Sequence, residues 1–223
     1  SPRPRGYRTT TKRSVYFHQE EIRLGFQAAL PVSRLELSLL EPDQHNRIYQ
    51  LIAENLNSDK YRYLGKILNY VIIRGNEDEN CLILNVKKLS GKILRDLEVL
   101  SGLFRDNPPF QVKSCFVYLD PGHSEYYLDT HTEEEEKKYK KIWGSDKIFM
   151  KVCGLKYSYP PVSFSQINPS ILPSFLEHVY GVFERNPSWR LLDLYCGYGL
   201  FTHYLKKLYN EIYAFDYDKK TIQ

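Results

Sequence analysis

The 223-residue sequence predicts two folds in series: an α+β domain with an antiparallel sheet over residues 13–159, and the N-terminal part of a Rossmann-like α/β domain over residues 160–223. Three observations predict this. Before residue 160, apolar runs of strand length interleave with stretches of helical spacing. The Pro160-Pro161 pair then punctuates the chain. Beyond it, a continuous apolar run, a glycine turn, a helix, a second apolar run and an acid follow in the order of half a nucleotide-binding α/β unit.

In chain order, Arg13–His18 and Ile22–Gln27 are short alternating runs that suit a hairpin or adjacent strands. Asp43–Leu56 places Ile48, Leu51, Ile52 and Leu56 on one helical face, with Asp43 as the N-cap after Pro42. Lys66–Arg74 and Cys81–Val86 are strand-like and flank the polar loop 75–80, giving a second hairpin. Gly91–Phe104 is an amphipathic helix, and Ser114–Leu119, Lys147–Val152 and Leu155–Tyr159 are further strands. Glu133–Glu136 followed by Lys137, Lys138, Lys140 and Lys141 sets unlike charges four apart, the pattern of a short exposed helix.

In the second part, Pro169–Arg185 forms a helix opened by Asn168 or Ser170. Trp189–Tyr195 (WRLLDLY) has the composition of a parallel strand buried on both faces. Phe201–Tyr209 is an amphipathic helix, Glu211–Phe215 a second buried strand ending at Asp216, and Asp218 opens another helix. Two strands and one crossover do not make a stable parallel sheet, so this domain is expected to continue past Gln223.

Hydrophobic content of 42% and charged content of 26% exclude bulk disorder. A net charge of +4 is compatible with an anionic partner. The four cysteines, Cys81, Cys115, Cys153 and Cys196, are far apart and form no C-x-x-C pair, which argues for a reducing compartment. The six histidines form no H-x-x-x-H pattern, so no metal site is expected. No apolar run approaches the roughly 18 residues of a membrane span. The expectation is a cytoplasmic monomer with no membrane partner. Residues 1–12 read as a basic extended arm: Arg3, Arg5, Arg8 and Lys12, with Arg13 next to them, have no acid among them. Such a segment is either a solvated tail or a track for phosphates.

The glycine turn is the most informative element. Gly197-x-Gly199 lets the backbone turn tightly off the strand and lets a ligand approach main-chain N–H groups. Asp216 lies 19 residues after Gly197, at the end of the next strand, where a carboxylate can accept both hydroxyls of an adenosine ribose. A dinucleotide fingerprint wants a third glycine where this chain has Thr202. Asp193, just before the turn, would repel a pyrophosphate but suits the cationic amino and sulfonium groups of S-adenosylmethionine. The sign of that charge favours S-adenosylmethionine, with an NAD-dependent oxidoreductase as the rival.

The stretch Ser163-Phe-Ser-Gln-Ile-Asn168, followed about 25 residues later by Asp193-Leu-Tyr-Cys-Gly-Tyr-Gly199, resembles the RNA 5-methyluridine (uridine-C5) methyltransferase family. Gly6-Tyr7-Arg8, Leu24-Gly25-Phe26 and Ile73-Arg74 resemble parts of that family's central domain. The resemblance implies a Rossmann-like, S-adenosylmethionine-dependent methyltransferase domain, here incomplete, acting on C5 of uridine in transfer or ribosomal RNA. It implies cofactor contacts from Gln166, Tyr195, Gly197, Gly199 and Asp216, with Asp193 beside them. Leu200 stands where the family usually has a polar residue, so only its backbone could serve. Phe164 is placed where a ring could stack on an extruded base, and Arg3, Arg5, Arg8, Lys12 and Arg13 would contact RNA. The family's nucleophilic cysteine and its carboxylate base lie downstream of the second strand, so no catalytic residue is expected within this chain, and the chain alone is expected to be inactive. Cys196 matches the structural cysteine of the loop. A non-catalytic RNA-binding protein derived from the same family is the alternative.

Overall fold

The computed structural model describes residues 2–26, 33–75, 78–105, 110–124 and 138–222. The chain divides into two compact units, one of residues 5–146 and one of residues 147–223 together with 1–4. The hairpin that ends at Tyr159 thus groups with the second unit, not with the central domain into which the sequence places it.

In the first unit the strands are β1 (Thr10–His18), β2 (Glu21–Gly25), β3 (Leu68–Gly75), β4 (Asn80–Val86), β5 (Val112–Leu119) and β6 (Tyr139–Gly144). They form one sheet in the order β2-β1-β3-β4-β5-β6. The hairpins expected at β1–β2 and β3–β4 are present, with His18 opposite Glu21 and Ile72 opposite Ile83. The first turns through Gln19 and Glu20, both at positive φ (47° and 62°), the two-residue geometry that matches strand twist, here without a glycine. The sheet is not wholly antiparallel. β4 and β5 run parallel, Cys81 opposite Ser114, because helix α3 (Gly91–Gly102) between them is a crossover.

Helix α1 (Asp43–Leu56) covers the predicted span, but its cap is Pro42, one residue earlier than the expected Asp43. Its Ile48, Ile52 and Leu56, together with Ile93, Leu97 and Leu100 of α3, close a core over Val71, Ile73, Leu82, Leu84 and Val117 of the sheet. Asn57 ties the end of α1 to β2, accepting from Ile22 N–H (2.9 Å) and donating to Ile22 O (2.8 Å). The short helix α2 (Arg62–Gly65) leads into β3. Residues 133–137 of the predicted charged helix lie outside the described residues. Lys140 and Lys141 belong to β6, because this stretch completes the sheet beside β5.

The second unit contains the hairpin β7 (Ile148–Val152) and β8 (Leu155–Tyr159), a 3₁₀ turn at Pro169–Ile171, α4 (Leu172–Val182), β9 (Arg190–Leu194), α5 (Leu200–Leu205) and β10 (Glu211–Phe215). β9 and β10 pair in parallel, Arg190 opposite Glu211 and Leu194 opposite Phe215. Leu191 and Ile212 pack on Leu205, Leu208 and Tyr209. The opposite face carries Leu192, Leu194, Tyr213 and Phe215, each 48–58% exposed. The expected burial on both faces is therefore corrected: among the described residues only one face has a covering layer. Asp218 opens a turn rather than a helix, accepting from Lys220 N–H (3.0 Å). No helix among the described residues is long and apolar enough to cross a membrane.

Candidate cofactor site

The site is assembled at the carboxyl ends of β9 and β10. Cys196 N–H donates to Phe215 O (3.1 Å), extending the parallel pairing past the strands and holding the turn against β10. Tyr195, Gly197 and Gly199 all have positive φ (59°, 54° and 78°), so the turn needs glycine at two of the three positions and holds the third, a tyrosine, in a sparsely populated conformation. Gly199 caps α5. A Cβ on Gly197 would meet nothing within 4 Å, so the absent side chain leaves open space beside the turn.

Asp216 accepts from Gly197 N–H (2.7 Å) through one carboxylate oxygen and from Asp218 N–H (2.8 Å) through the other. It therefore clamps the turn from the neighbouring strand, and each oxygen keeps a further lone-pair direction for a ligand hydroxyl. Asp193 accepts a short hydrogen bond from the Thr202 hydroxyl. That contact explains the threonine at the third-glycine position: the first turn of α5 satisfies the anion of β9 instead of closing on a pyrophosphate. Ser163 Oγ donates to Asp218 (3.1 Å). Burial raises the Tyr198 phenol, and the backbone of Gln166 beside it opposes that rise. Through these two links the segment carrying half-buried Gln166 lies against the turn.

A cavity of about 220 Å³ adjoins the turn, lined by Tyr157, Gly197, Gly199, Thr202 and His203 among others. Tyr157 O–H donates to Leu200 O (3.2 Å), and rings of Tyr157 and Tyr159 flank Tyr198, with centroids 5.9 and 5.1 Å away. Gly197 and Gly199 of the predicted set line the cavity, whereas Gln166, Tyr195, Leu200, Asp193 and Asp216 do not. Tyr195 is 86% exposed and Leu200 is buried. Sequence reasoning missed Ser163, Thr202 and Asp218. The Asp-x-Asp spacing of Asp216 and Asp218 was the available signal for the last.

The thiols of Cys81, Cys115 and Cys196 are all shifted towards their neutral forms. The Cys196 thiol is pushed up by burial and by the carboxylates of Asp193 and Asp216, the direction opposite to that of a nucleophile. Burial pushes Cys81 up to about 12 and Cys115 up as well.

The expected RNA-contacting residues are dispersed. Arg3, Arg5 and Arg8 are exposed. Residues 6–8 are not a free arm: Gly6 and Arg8 N–H groups donate to Leu39 and Leu40 carbonyls (2.9 Å each). The Lys12 ammonium lies over the Tyr70 ring, 4.3 Å from its centroid. Arg13 is a correction. It is fully buried, and its guanidinium makes two bonds to Glu41 (2.7 and 2.6 Å), so it cannot reach a phosphate. Phe164 is 75% exposed.

Strand, clamped glycine turn, helix, parallel strand and terminal acid define the class of this unit as an α/β fold. Residues 128–223 match the family model described as tRNA (Uracil-5-)-methyltransferase. The tRNA/tmRNA (uracil-C(5))-methyltransferase of Campylobacter lari is 39% identical over 67 residues, which is 30% of this chain and 19% of that protein. The 23S rRNA (uracil(1939)-C(5))-methyltransferase RlmD of Xanthomonas euvesicatoria is 31% identical over 64 residues, 29% of this chain and 14% of that protein. The crystal structure of the Pyrococcus abyssi tRNA (uracil-54, C5)-methyltransferase in complex with S-adenosyl-L-homocysteine shares the fold, with a TM-score of 0.70 at 18% identity. It aligns over 100% of this chain and 52% of that one. The chain thus spans about half of that structure, and the matched segments are under a fifth of the two curated relatives. The family likeness therefore rests on residues 128–223, somewhat under half of the chain.

Proposed function

We propose that these residues form part of an S-adenosylmethionine-dependent methyltransferase acting on C5 of uridine in transfer or ribosomal RNA. The observation that carries this is the Asp216 carboxylate, which holds the Gly197–Gly199 turn and still has lone pairs for a ribose. The residues fit the cofactor. Asp216 would accept the ribose hydroxyls, Gly197 and Gly199 would allow close approach, and Asp193 would supply an anion towards a cationic ligand. Gln166 and Tyr195 would border it. The bound cofactor supplies the methyl group. Uridine C5 is a weak nucleophile and needs a thiolate added at C6, with a base to remove the C5 proton. By the family resemblance the attacking thiolate is assigned to a cysteine outside this chain, and the raised thiols of Cys81, Cys115 and Cys196 argue against those three.

The test is calorimetric titration with S-adenosylhomocysteine. Asp216→Ala should weaken binding by about 1–3 kcal/mol, the range for a hydrogen bond to a charged group. Unchanged affinity would remove Asp216 from the site, and preferential binding of NAD would replace the methyltransferase reading. Residues 1–223 alone should transfer no methyl from labelled cofactor to RNA, and detected transfer would refute the assignment of the thiolate.

A further inference from the structure

The end of the first unit where β1 finishes, β3 begins and β4 finishes concentrates exposed cations that the sequence scatters between Lys60 and Lys92. Lys87 N–H donates to Ile67 O (2.9 Å) and its ammonium to Lys66 O (3.3 Å), bringing the exit of β4 against the entry of β3. The Lys66 ammonium lies over the Phe17 ring at 4.2 Å, and Phe17 is 38% exposed. On the other side of α2, the Lys92 ammonium lies over the Tyr63 ring at 4.2 Å and donates to its hydroxyl (2.9 Å). Lys60 covers the Tyr61 ring at 4.6 Å. Lys88 is exposed next to Lys87.

The carboxylates nearby are few. Lys92 pairs with Asp96 (2.6 Å) and Arg62 with Asp59 (3.8 Å), while Glu20 occupies the β1–β2 turn. Among the described residues Lys66, Lys87 and Lys88 have no carboxylate partner. Crowded like charges repel in the free protein, and that repulsion is relieved by a polyanion. The partly exposed Phe17 ring adds an aromatic surface on which a base can stack, a feature that an acidic peptide would not use. This end is also far from the end of the sheet that Arg8 leads into. β1 pairs Thr10 with Arg74 at one end of the sheet and carries Phe17 near the other, a separation of about 23 Å at roughly 3.3 Å per residue.

We propose that Phe17, Tyr63, Lys66, Lys87, Lys88 and Lys92 form an RNA-binding surface, distinct from the N-terminal arginines. The proposal rests on the RNA-methyltransferase reading above for its choice of RNA as the polyanion.

Binding is read by fluorescence anisotropy with a fluorescein-labelled hairpin RNA bearing uridines in its loop. Lys66→Glu/Lys87→Glu/Lys88→Glu should weaken binding at least tenfold. The milder Lys→Gln triple should flatten the log-affinity against log-salt slope by about 2, the loss of roughly three phosphate contacts. It keeps the test valid if the reversal variant fails to fold. Lys140→Glu on β6 should stay within twofold of the unsubstituted chain. Full binding by both lysine triples overturns the proposal, as does loss confined to Arg3→Gln/Arg5→Gln/Arg8→Gln. Competition by phosphatidylserine vesicles as strong as by unlabelled RNA also overturns it, in favour of a membrane surface. Absence of RNA binding by the unsubstituted chain removes the surface too. S-adenosylhomocysteine binding by the same preparation then shows whether the cofactor reading survives that failure.

Discussion

His45 is fully buried in the first unit and its protonation should destabilise that unit on mild acidification. Its Nε2 lies 2.8 Å from Asn80 Oδ1, and the Asn80 amide donates to Gln44 Oε1 and Phe110 O (2.9 Å each), so Asn80 presents its oxygen and His45 Nε2 carries the proton. Nδ1 therefore accepts from Thr11 (3.1 Å), which in turn is bonded to Tyr49 (2.9 Å). Burial, helped by the charge of Arg13 and opposed by the Asn80 hydrogen bond, lowers the pKa from 6.5 to about 4. The folded state thus refuses a proton that the unfolded state accepts. The contribution is complete above pH 6.5, declines as pH falls from 6.5 towards 4, and levels off below that. At 1.36 kcal/mol per pKa unit the full loss is about 3 kcal/mol, of which about 2 kcal/mol has gone by pH 5. The assay is urea unfolding at pH 7, 6 and 5, followed through Trp143, which is buried in this unit and donates to Ser101 (2.9 Å). Trp189→Phe removes the signal of the other unit. The His45→Gln variant should lose most of the pH slope. An equal slope in both proteins, or an NMR titration of the His45 ring near 6.5 in the folded chain, would refute the reasoning.

Further substitutions probe the fold. Arg13→Ala leaves Glu41 buried and unpaired and should cost about 3–5 kcal/mol, while Arg13→Met/Glu41→Leu should recover most of it; equal losses from the single and double variants, by denaturant midpoint, would contradict this. Gly144 has φ +90°, and an added Cβ would lie 2.1 Å from Lys113 O, so Gly144→Ala should cost more than the about 1–3 kcal/mol of backbone strain alone. Gly154→Ala, at φ +78° with open space around it, should cost less, and the reverse order of melting temperatures would count against the geometry. On the uncovered sheet face, Leu192→Lys/Phe215→Lys should reduce concentration-dependent association in sedimentation velocity; unchanged association would show that this face is not sticky.

What the sequence disclosed depended on how local the cause was. α1 was legible because Ile48, Ile52 and Leu56 repeat at helical spacing, and the β3–β4 hairpin because two apolar runs flank a polar loop. The glycine turn and Asp216 were legible because their spacing along one βαβ segment sets their meeting in space. The parallel pairing of β4 with β5 was not, since strand direction is decided by which neighbour the crossover helix reaches. Nor was the fate of Arg13, whose partner Glu41 is 28 residues away and converts an apparent phosphate ligand into a buried ion pair. β9 and β10 misled differently. An apolar run records that a strand is suited to two covering layers, whereas burial also requires both layers to be there. The same distinction separates the two candidate RNA surfaces. The arginine arm is a cluster in sequence that the fold disperses, sending Arg13 inward and Gly6 and Arg8 into hydrogen bonds with Leu39 and Leu40. The lysines at 66, 87 and 92 are a cluster that only the sheet creates, by setting the entry of β3 beside the exit of β4. Charge density for a polyanion is a property of the folded surface, so the second cluster has the stronger physical claim.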